Sequence, residues 1–197
     1  MLQSRHPPVA DELALAPGAG IARARAHEVT GPARAAFALA AAARLAGPVL
    51  WLQPVWETER PTGDGLRAFL DPGRVIFGRP DTVADLFWAA EEALRTGLVP
   101  LVVAATPEVP GLTAVRRLHL AAETGAACGA APLLLLLTPD PGGAPGVETR
   151  WHMAPAPGWA RGGGPRWRLA RPRARMAPEA RWEATLQGGR LRLAKVG

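Results

Sequence analysis

The sequence predicts an α/β fold: a mostly parallel sheet flanked by helices, extended on its C-terminal side by antiparallel strands. Three observations predict it. Between residues 21 and 138, apolar segments that read as strands alternate with segments of helical period, and that alternation builds a parallel sheet covered on both faces. VLWLQ (49–53) and PLLLLLT (132–138) are apolar without alternation, as strands buried on both faces are. Beyond residue 146, four successive segments alternate apolar with polar, the pattern of strands with one wet face.

Residues 1–20 are rich in Pro, Gly and Ala, so an irregular segment is expected there and a single domain over 21–197. IARARAHEVT (21–30) reads as a strand running into Gly31. Pro32 suits the first turn of a helix, which runs to about Leu45 and is closed by Gly47. VLWLQ follows, then a long loop over 54–72 with a short helical piece at GLRAFLD, then the strand RVIFG (74–78). DTVADLFWAAEEALRT (81–96) is the clearest helix. Its Val83, Leu86, Phe87, Ala90 and Leu94 share one face, Thr82 with Asp85 fits a capping box, and Gly97 ends it. LVPLVVAA (98–105) is a strand whose Pro100 must lie early or at an edge. TAVRRLHLAAET (113–124) is a helix with Gly125 after it. The alternating segments are VETRWHM (147–153), RWRLARPRARM (166–176), ARWEATL (180–186) and RLRLAKV (190–196). PAPGWARGGGP (155–165) is a loop between the first two, and QGG (187–189) a hairpin turn between the last two.

At 197 residues with 48% hydrophobic content, the chain can bury a real core. No apolar run reaches membrane length, and MLQSRHPPVADE has no apolar stretch of the signal-peptide kind, so neither membrane nor secretion is expected. Cys128 is the one cysteine. It excludes an internal disulfide, fits a cytoplasmic location, and is expected as a buried or half-buried thiol. Charge is uneven. Residues 1–149 carry twelve Arg against fifteen Asp and Glu, a net −3, whereas residues 150–197 carry ten Arg and one Lys against two Glu, a net +9. A basic end on a slightly acidic body points to a polyanion or an acidic protein partner.

HEVTGPARAAF (27–37) has the context of a phosphate-binding loop: a strand, a Gly-Pro turn and a helix. Such a loop needs glycines, a lysine and a hydroxyl. Phe37 and Ala38 stand where Lys and Ser/Thr belong, no second glycine precedes them, and the chain's one lysine is Lys195. Gly31, Pro32, Arg34, Phe37 and Ala38 thus form a vestigial loop. Arg34 is its one candidate anion contact, and Phe37 is expected to fill the vacated pocket.

No other catalytic constellation emerges, and neither a cofactor nor a metal is expected. Glu91 and Glu92 are adjacent on a helix, so they do not face one another and are expected on a solvated face. Ser4 lies in the irregular terminus, and His6, His27, His119 and His152 lack metal spacing. Trp51 and Trp88 are expected in the core. Trp167 and Trp182, set among arginines, suit sheet packing, a partner contact or stacking on single-stranded DNA. By strand parity Arg166 aligns with Arg168, and Arg171 with Arg173 and Arg175. Such rows suit phosphates or an acidic surface, the alternative being a solubilising face.

The order of elements resembles the ATPase core of the RecA family over about residues 12–193. EVTGPARAAF stands at that family's phosphate loop, and GRVIFGRPDTVADLFWAAEEALRTGLVPLVVAAT (73–106) resembles its stretch from a strand to the Walker B strand. GGAPGVETRWHM (142–153) resembles the segment after its second DNA-binding loop, and RWRLARPRARMAPEARWEATL its closing basic hairpin. PVLWLQPVW, DGLRAFLDPGRVIF, WAAEEALRTG, RRLHLAAE and GGAPGVETRW are similar to one branch, ImuA, the accessory protein of SOS mutagenesis. The resemblance implies a RecA-like core and a role in assembling a mutagenic complex. Its partners would be ImuB, an inactive relative of Y-family polymerases, together with RecA and an error-prone replicative-type polymerase.

The departures imply loss of ATP hydrolysis. Besides Phe37 and Ala38, Ala105 stands at the Walker B aspartate, and Gln53 and Pro54 occupy the place of the catalytic glutamate, with Glu57 and Glu59 nearby. TPDPGGAPG is short for the second DNA-binding loop, and the long N-terminal helix of RecA filaments has no counterpart in 1–20. A non-enzymatic adaptor is therefore expected. Two alternatives remain: an inhibitor of cell division like SulA, and a single-stranded DNA-binding module built on the basic C-terminal strands.

Overall fold

The computed structural model describes residues 11–161 and 163–196, and residues 1–10, with Ser4 and His6, lie outside them. In chain order the strands and helices are β1 (Glu12–Ala16), β2 (Ala19–Ala22), β3 (Ala26–Thr30), α1 (Arg34–Ala42), β4 (Val49–Leu52), α2 (Gly63–Arg67), β5 (Val75–Gly78), α3 (Val83–Thr96), β6 (Leu101–Ala105), α4 (Leu112–Cys128), β7 (Leu133–Leu137), β8 (Thr149–Pro155), β9 (Arg166–Ala174), β10 (Ala180–Gln187) and β11 (Arg190–Val196). β3 to β11 form one nine-stranded sheet in the order β11-β10-β9-β8-β3-β7-β6-β4-β5. The run from β8 to β5 is parallel, and β8 to β11 pair antiparallel. This is the mixed α/β architecture that the two kinds of hydrophobic pattern predict.

All five leucines of β7 are buried, because α1 lies on one face of the sheet and α3 with α4 on the other. The β1–β2 hairpin joins α1 on its face, contributing Leu13, Leu15, Ala19 and Ile21 to that core. The irregular segment expected over 1–20 is corrected for its described part. ELALA places Leu13 and Leu15 inward and Glu12 and Ala14 outward, so a short alternation outweighs the local Pro and Gly, which serve the turn at Pro17–Gly18. The single strand expected over 21–30 is likewise broken in two. The chain turns at Arg23–Arg25, with Ala24 at φ +56° and its N–H donating to Pro132 O at 2.7 Å.

Helix α3 follows its pattern. Thr82 Oγ1 accepts the Asp85 N–H at 3.0 Å and donates to the Asp85 carboxylate at 2.7 Å, and Gly97 closes the helix in the left-handed region. Leu86, Ala90 and Leu94 are buried. Trp88, expected in the core, is 61% exposed, because two residues from Leu86 and Ala90 is the far side of a helix. Glu91, expected in solvent, is buried and bonded to Arg117 of α4 at 2.9 Å.

Gly125 does not stop α4, which runs to Cys128 and leaves that thiol exposed rather than buried. Its role is to let two helices touch. A Cβ on Gly125 would lie 2.0 Å from Leu94 O and 3.1 Å from the Gly97 nitrogen. Gly125→Ala is expected to lower stability by about 2–3 kcal/mol, overpacking outweighing a helix-propensity gain of roughly 1 kcal/mol. Gly111→Ala, at the N-cap of α4 with nothing within 4 Å, should change stability by less than about 1 kcal/mol, the poorer cap being offset by the stiffer unfolded chain. Urea denaturation of both variants checks the contrast.

Candidate functional site

The turn between β3 and α1 is built from Thr30, Gly31, Pro32 and Ala33. Anion binding there needs free N–H groups at the helix N-terminus. Pro32 has none. Ala33 N–H donates to Met153 O at 3.0 Å, and Arg34 N–H to Gly31 O at 3.1 Å. Gly31 is required by the packing: it sits at φ +92°, and a Cβ there would lie 2.3 Å from Met153 O. The turn is thus pressed against β8, which takes the Ala33 N–H; the Arg34 N–H is spent within the turn, and the Ala35 and Ala36 N–H groups have no backbone acceptor among the described residues. The Arg34 guanidinium lies over the same turn, donating to Gly31 O at 3.3 Å.

Phe37 and Ala38 are fully buried, as the apolar face of α1 requires. Phe37 packs on Trp151 with ring centroids 5.3 Å apart, holding α1 to the sheet. A cavity of about 520 Å³ lies beside the turn, over the carboxyl ends of β4, β6 and β7, with Arg34, Trp51, Gln53, Phe69, Ala105 and Thr106 in its wall. Two of its polar side chains, Gln53 and Thr106, are committed, while the charged Glu57, Glu59 and Arg60 also line it. Gln53 accepts from the Trp51 indole at 3.2 Å and donates to the carbonyls of Glu57 and Glu59 at 3.0 and 3.3 Å. Thr106 Oγ1 donates to Glu108 O at 2.9 Å. Ala105 offers no carboxylate.

The charged group nearest the sheet centre is one that the sequence did not single out. Glu28 of β3 is fully buried. It accepts from Thr138 Oγ1 at 2.9 Å, from the Gly143 and Ala144 N–H groups at 2.9 and 3.0 Å, and from Arg150 of β8. Burial alone would raise its pKa. The bonds from Arg150, Ala144 and Thr138 outweigh burial and hold it below the usual value. The short TPDPGGAPG loop is therefore pinned to Glu28.

On the other face His27 is buried, its Nε2 2.8 Å from Ala22 O and its Nδ1 2.6 Å from Thr149 Oγ1. The Trp151 indole donates to the same hydroxyl at 2.7 Å. Ala22 O can only accept, so Nε2 carries the proton of the neutral ring, and Nδ1 accepts from the Thr149 hydroxyl. Burial, with the nearby His119 and Arg25 charges, lowers the His27 pKa from 6.5 to about 4 against the opposing Ala22 carbonyl.

The candidate residues of β9 and β10 divide between two faces. Trp167 and Trp182 are buried, as is Arg171. The Arg171 guanidinium lies 5.4 Å from the Trp151 ring and 5.5 Å from Trp182. It donates to Gly18 O at 3.1 Å and Pro178 O at 3.2 Å, so it ties the N-terminal hairpin to the sheet. Both tryptophans pack into the sheet core, Trp182 beneath Arg171, and neither ring is open to a base. The alignment of Arg171 with Arg173 is corrected. Arg150 pairs with Arg173 and His152 with Ala170, so β9 carries one extra residue. This bulge reverses the parity, leaving Arg171 inside while Arg173 faces solvent. Arg175 is 3.8 Å from Glu148. Arg166 and Arg168 do share the outer face, joined there by Arg181, Arg190 and Arg192, whose alternation in ARWEATL and RLRLAKV carried that signal.

Among the described residues no group of His, Cys, Asp and Glu could hold a metal ion, and no helix is long and apolar enough to cross a membrane. No protein-family model matches the chain, and no curated protein matches it.

Acid sensitivity follows from Glu28 and His27. Between pH 6.5 and about 4 the unfolded chain binds a proton at His27 that the folded protein does not, so stability should fall with pH by on the order of 3 kcal/mol at most. Glu28, depressed in the folded state, stabilises above the ordinary carboxylate range, and its share is lost only as pH falls below that range. Thermal midpoints from pH 8 to 3 check this two-stage decline. Glu28→Gln is expected to cost about 3–5 kcal/mol at neutral pH, since it strands the Arg150 charge.

Proposed function

We propose that this protein is a RecA-like, non-catalytic adaptor of the kind ImuA represents, working in the cytoplasm in the SOS response. It brings an error-prone translesion synthesis complex together through ImuB, with RecA as a second contact. One observation carries the reading. The place where a RecA-type ATPase would cradle phosphates lacks that chemistry: the Ala33 and Arg34 N–H groups are spent on Met153 and Gly31, and the buried Phe37 stands where the lysine would be. A domain that keeps the strand–turn–helix frame and puts an aromatic ring in the lysine's place uses that frame as a surface. The resemblance of the ImuA phrases supports the choice of partners.

Two measurements test it. Titration with a fluorescent ATP analogue and Mg²⁺ should show no binding, with RecA as the positive control. Phe37→Lys with Ala38→Thr should fail to create binding, because Ala33 and Arg34 still spend their N–H groups on Met153 and Gly31. Co-purification with ImuB should succeed, and loss of both ImuB and RecA binding in a folded sample would overturn the adaptor reading.

A further inference from the structure

Strands β8 to β11 have two unlike faces. One is core, carrying Trp151, Trp167, Leu169, Trp182, Ala184 and Leu191. The other is open. Helices α3 and α4, which lie on that side, pack over β3, β4, β6 and β7, short of the antiparallel strands. Cross-strand pairing fixes what this face displays. Arg166 and Arg192 both stand opposite Thr185, Arg168 opposite Glu183, Arg181 opposite Ala170, and Arg190 opposite Gln187. Arg173 stands opposite Arg150, whose charge Glu28 already neutralises.

Six arginines thus share one face with a single acid, Glu183, which takes Arg166 at 3.0 Å. The other five make no side-chain hydrogen bond or ion pair among the described residues. Within β9–β11 no two arginines are direct cross-strand partners, so mutual repulsion is limited while the guanidinium donors stay free. Alternate residues on a strand lie roughly 7 Å apart and neighbouring strands about 4.8 Å, so the charges form a two-dimensional array rather than a single point.

We propose that this arginine face binds the phosphodiester backbone of duplex DNA, without regard to base sequence. The charge selects a polyanion. A protein partner would require a desolvated apolar centre with aromatic anchors, and the other outward residues here are Thr185, Gln187, Ala170, Ala194 and Val196. A single-strand binder stacks bases on aromatic rings, and Trp167 and Trp182 point to the opposite, buried face. Arginines alone neutralise phosphates, and the duplex carries the higher charge density. This proposal is independent of the adaptor reading.

Fluorescence anisotropy with a labelled 20-base-pair duplex tests it across a salt series. For about five phosphate contacts, the slope of log K against log salt is expected near −4 to −5, from roughly −0.9 per contact. Arg168→Gln with Arg192→Gln should flatten the slope by about 2, and Arg181→Gln with Arg190→Gln should do the same. These side chains are exposed, so circular dichroism and thermal midpoints should stay unchanged. Arg116→Gln on α4 should leave binding as it is. Tighter binding of a single strand than of the duplex would overturn the proposal. So would equal or tighter binding of polyglutamate, or an unchanged slope in both double variants.

Discussion

Glu28 stands near the middle of the sheet with no contact to water, and the two parts of the molecule meet at it. A carboxylate so placed is destabilising unless its oxygens are satisfied. Here Arg150, the Thr138 hydroxyl and two backbone N–H groups satisfy them. These groups come from β8 and from the segment after β7, so one buried charge fixes the route by which the chain leaves the parallel strands and begins the antiparallel ones. β3 and β8 pair through only three residue positions, Glu28–Arg150 among them, and the ion pair lies at the first of the three.

On the opposite face the same strands are held by aromatic contact. Phe37 meets Trp151 at 5.3 Å, Trp151 meets Trp182 at 5.7 Å, and Arg171 bridges the two indoles. Each aromatic pair contributes roughly 0.5–1.5 kcal/mol beyond the area it buries. The burial of Phe37 and the closing of the turn on β8 thus go together. Phe37 belongs to a column running from α1 through β8 to β10, and the turn beside it closes because β8 lies close enough to accept the Ala33 N–H. Arg171, read from the sequence as a displayed charge, works in this column as a planar group between two rings.

The candidate site was partly legible. The absence of lysine, hydroxyl and aspartate at Phe37, Ala38 and Ala105 is read directly from the sequence, and the structure shows Phe37 buried against Trp151. The sheet half of the site was not. Strand parity sets Arg171 with Arg173 and Arg175, yet the β9 bulge turns Arg171 inward with Trp167 and Trp182 and Arg173 outward with Arg166 and Arg168. Arg181, Arg190 and Arg192 lie further along and complete the solvent face. Glu28 gave no signal, since a single acid in a strand reads the same whether it faces water or a buried arginine.

Local periodicity determined the α/β class, the order of elements, the change from parallel to antiparallel strands and the capped helix at Thr82. Each depends on residues within one or two turns of the chain, and those interactions are present in any fold. Tertiary structure alone decided which face each side chain takes. The bulge in β9 that separates Arg171 from Arg173 exists because Arg150 and His152 of β8 pair across it. Gly125 is a helix contact rather than a stop because Leu94 lies against it. Trp88 is exposed because the sheet lies on the other side of α3. Contacts between residues far apart in sequence set register and facing, and no stretch of chain read alone contains them.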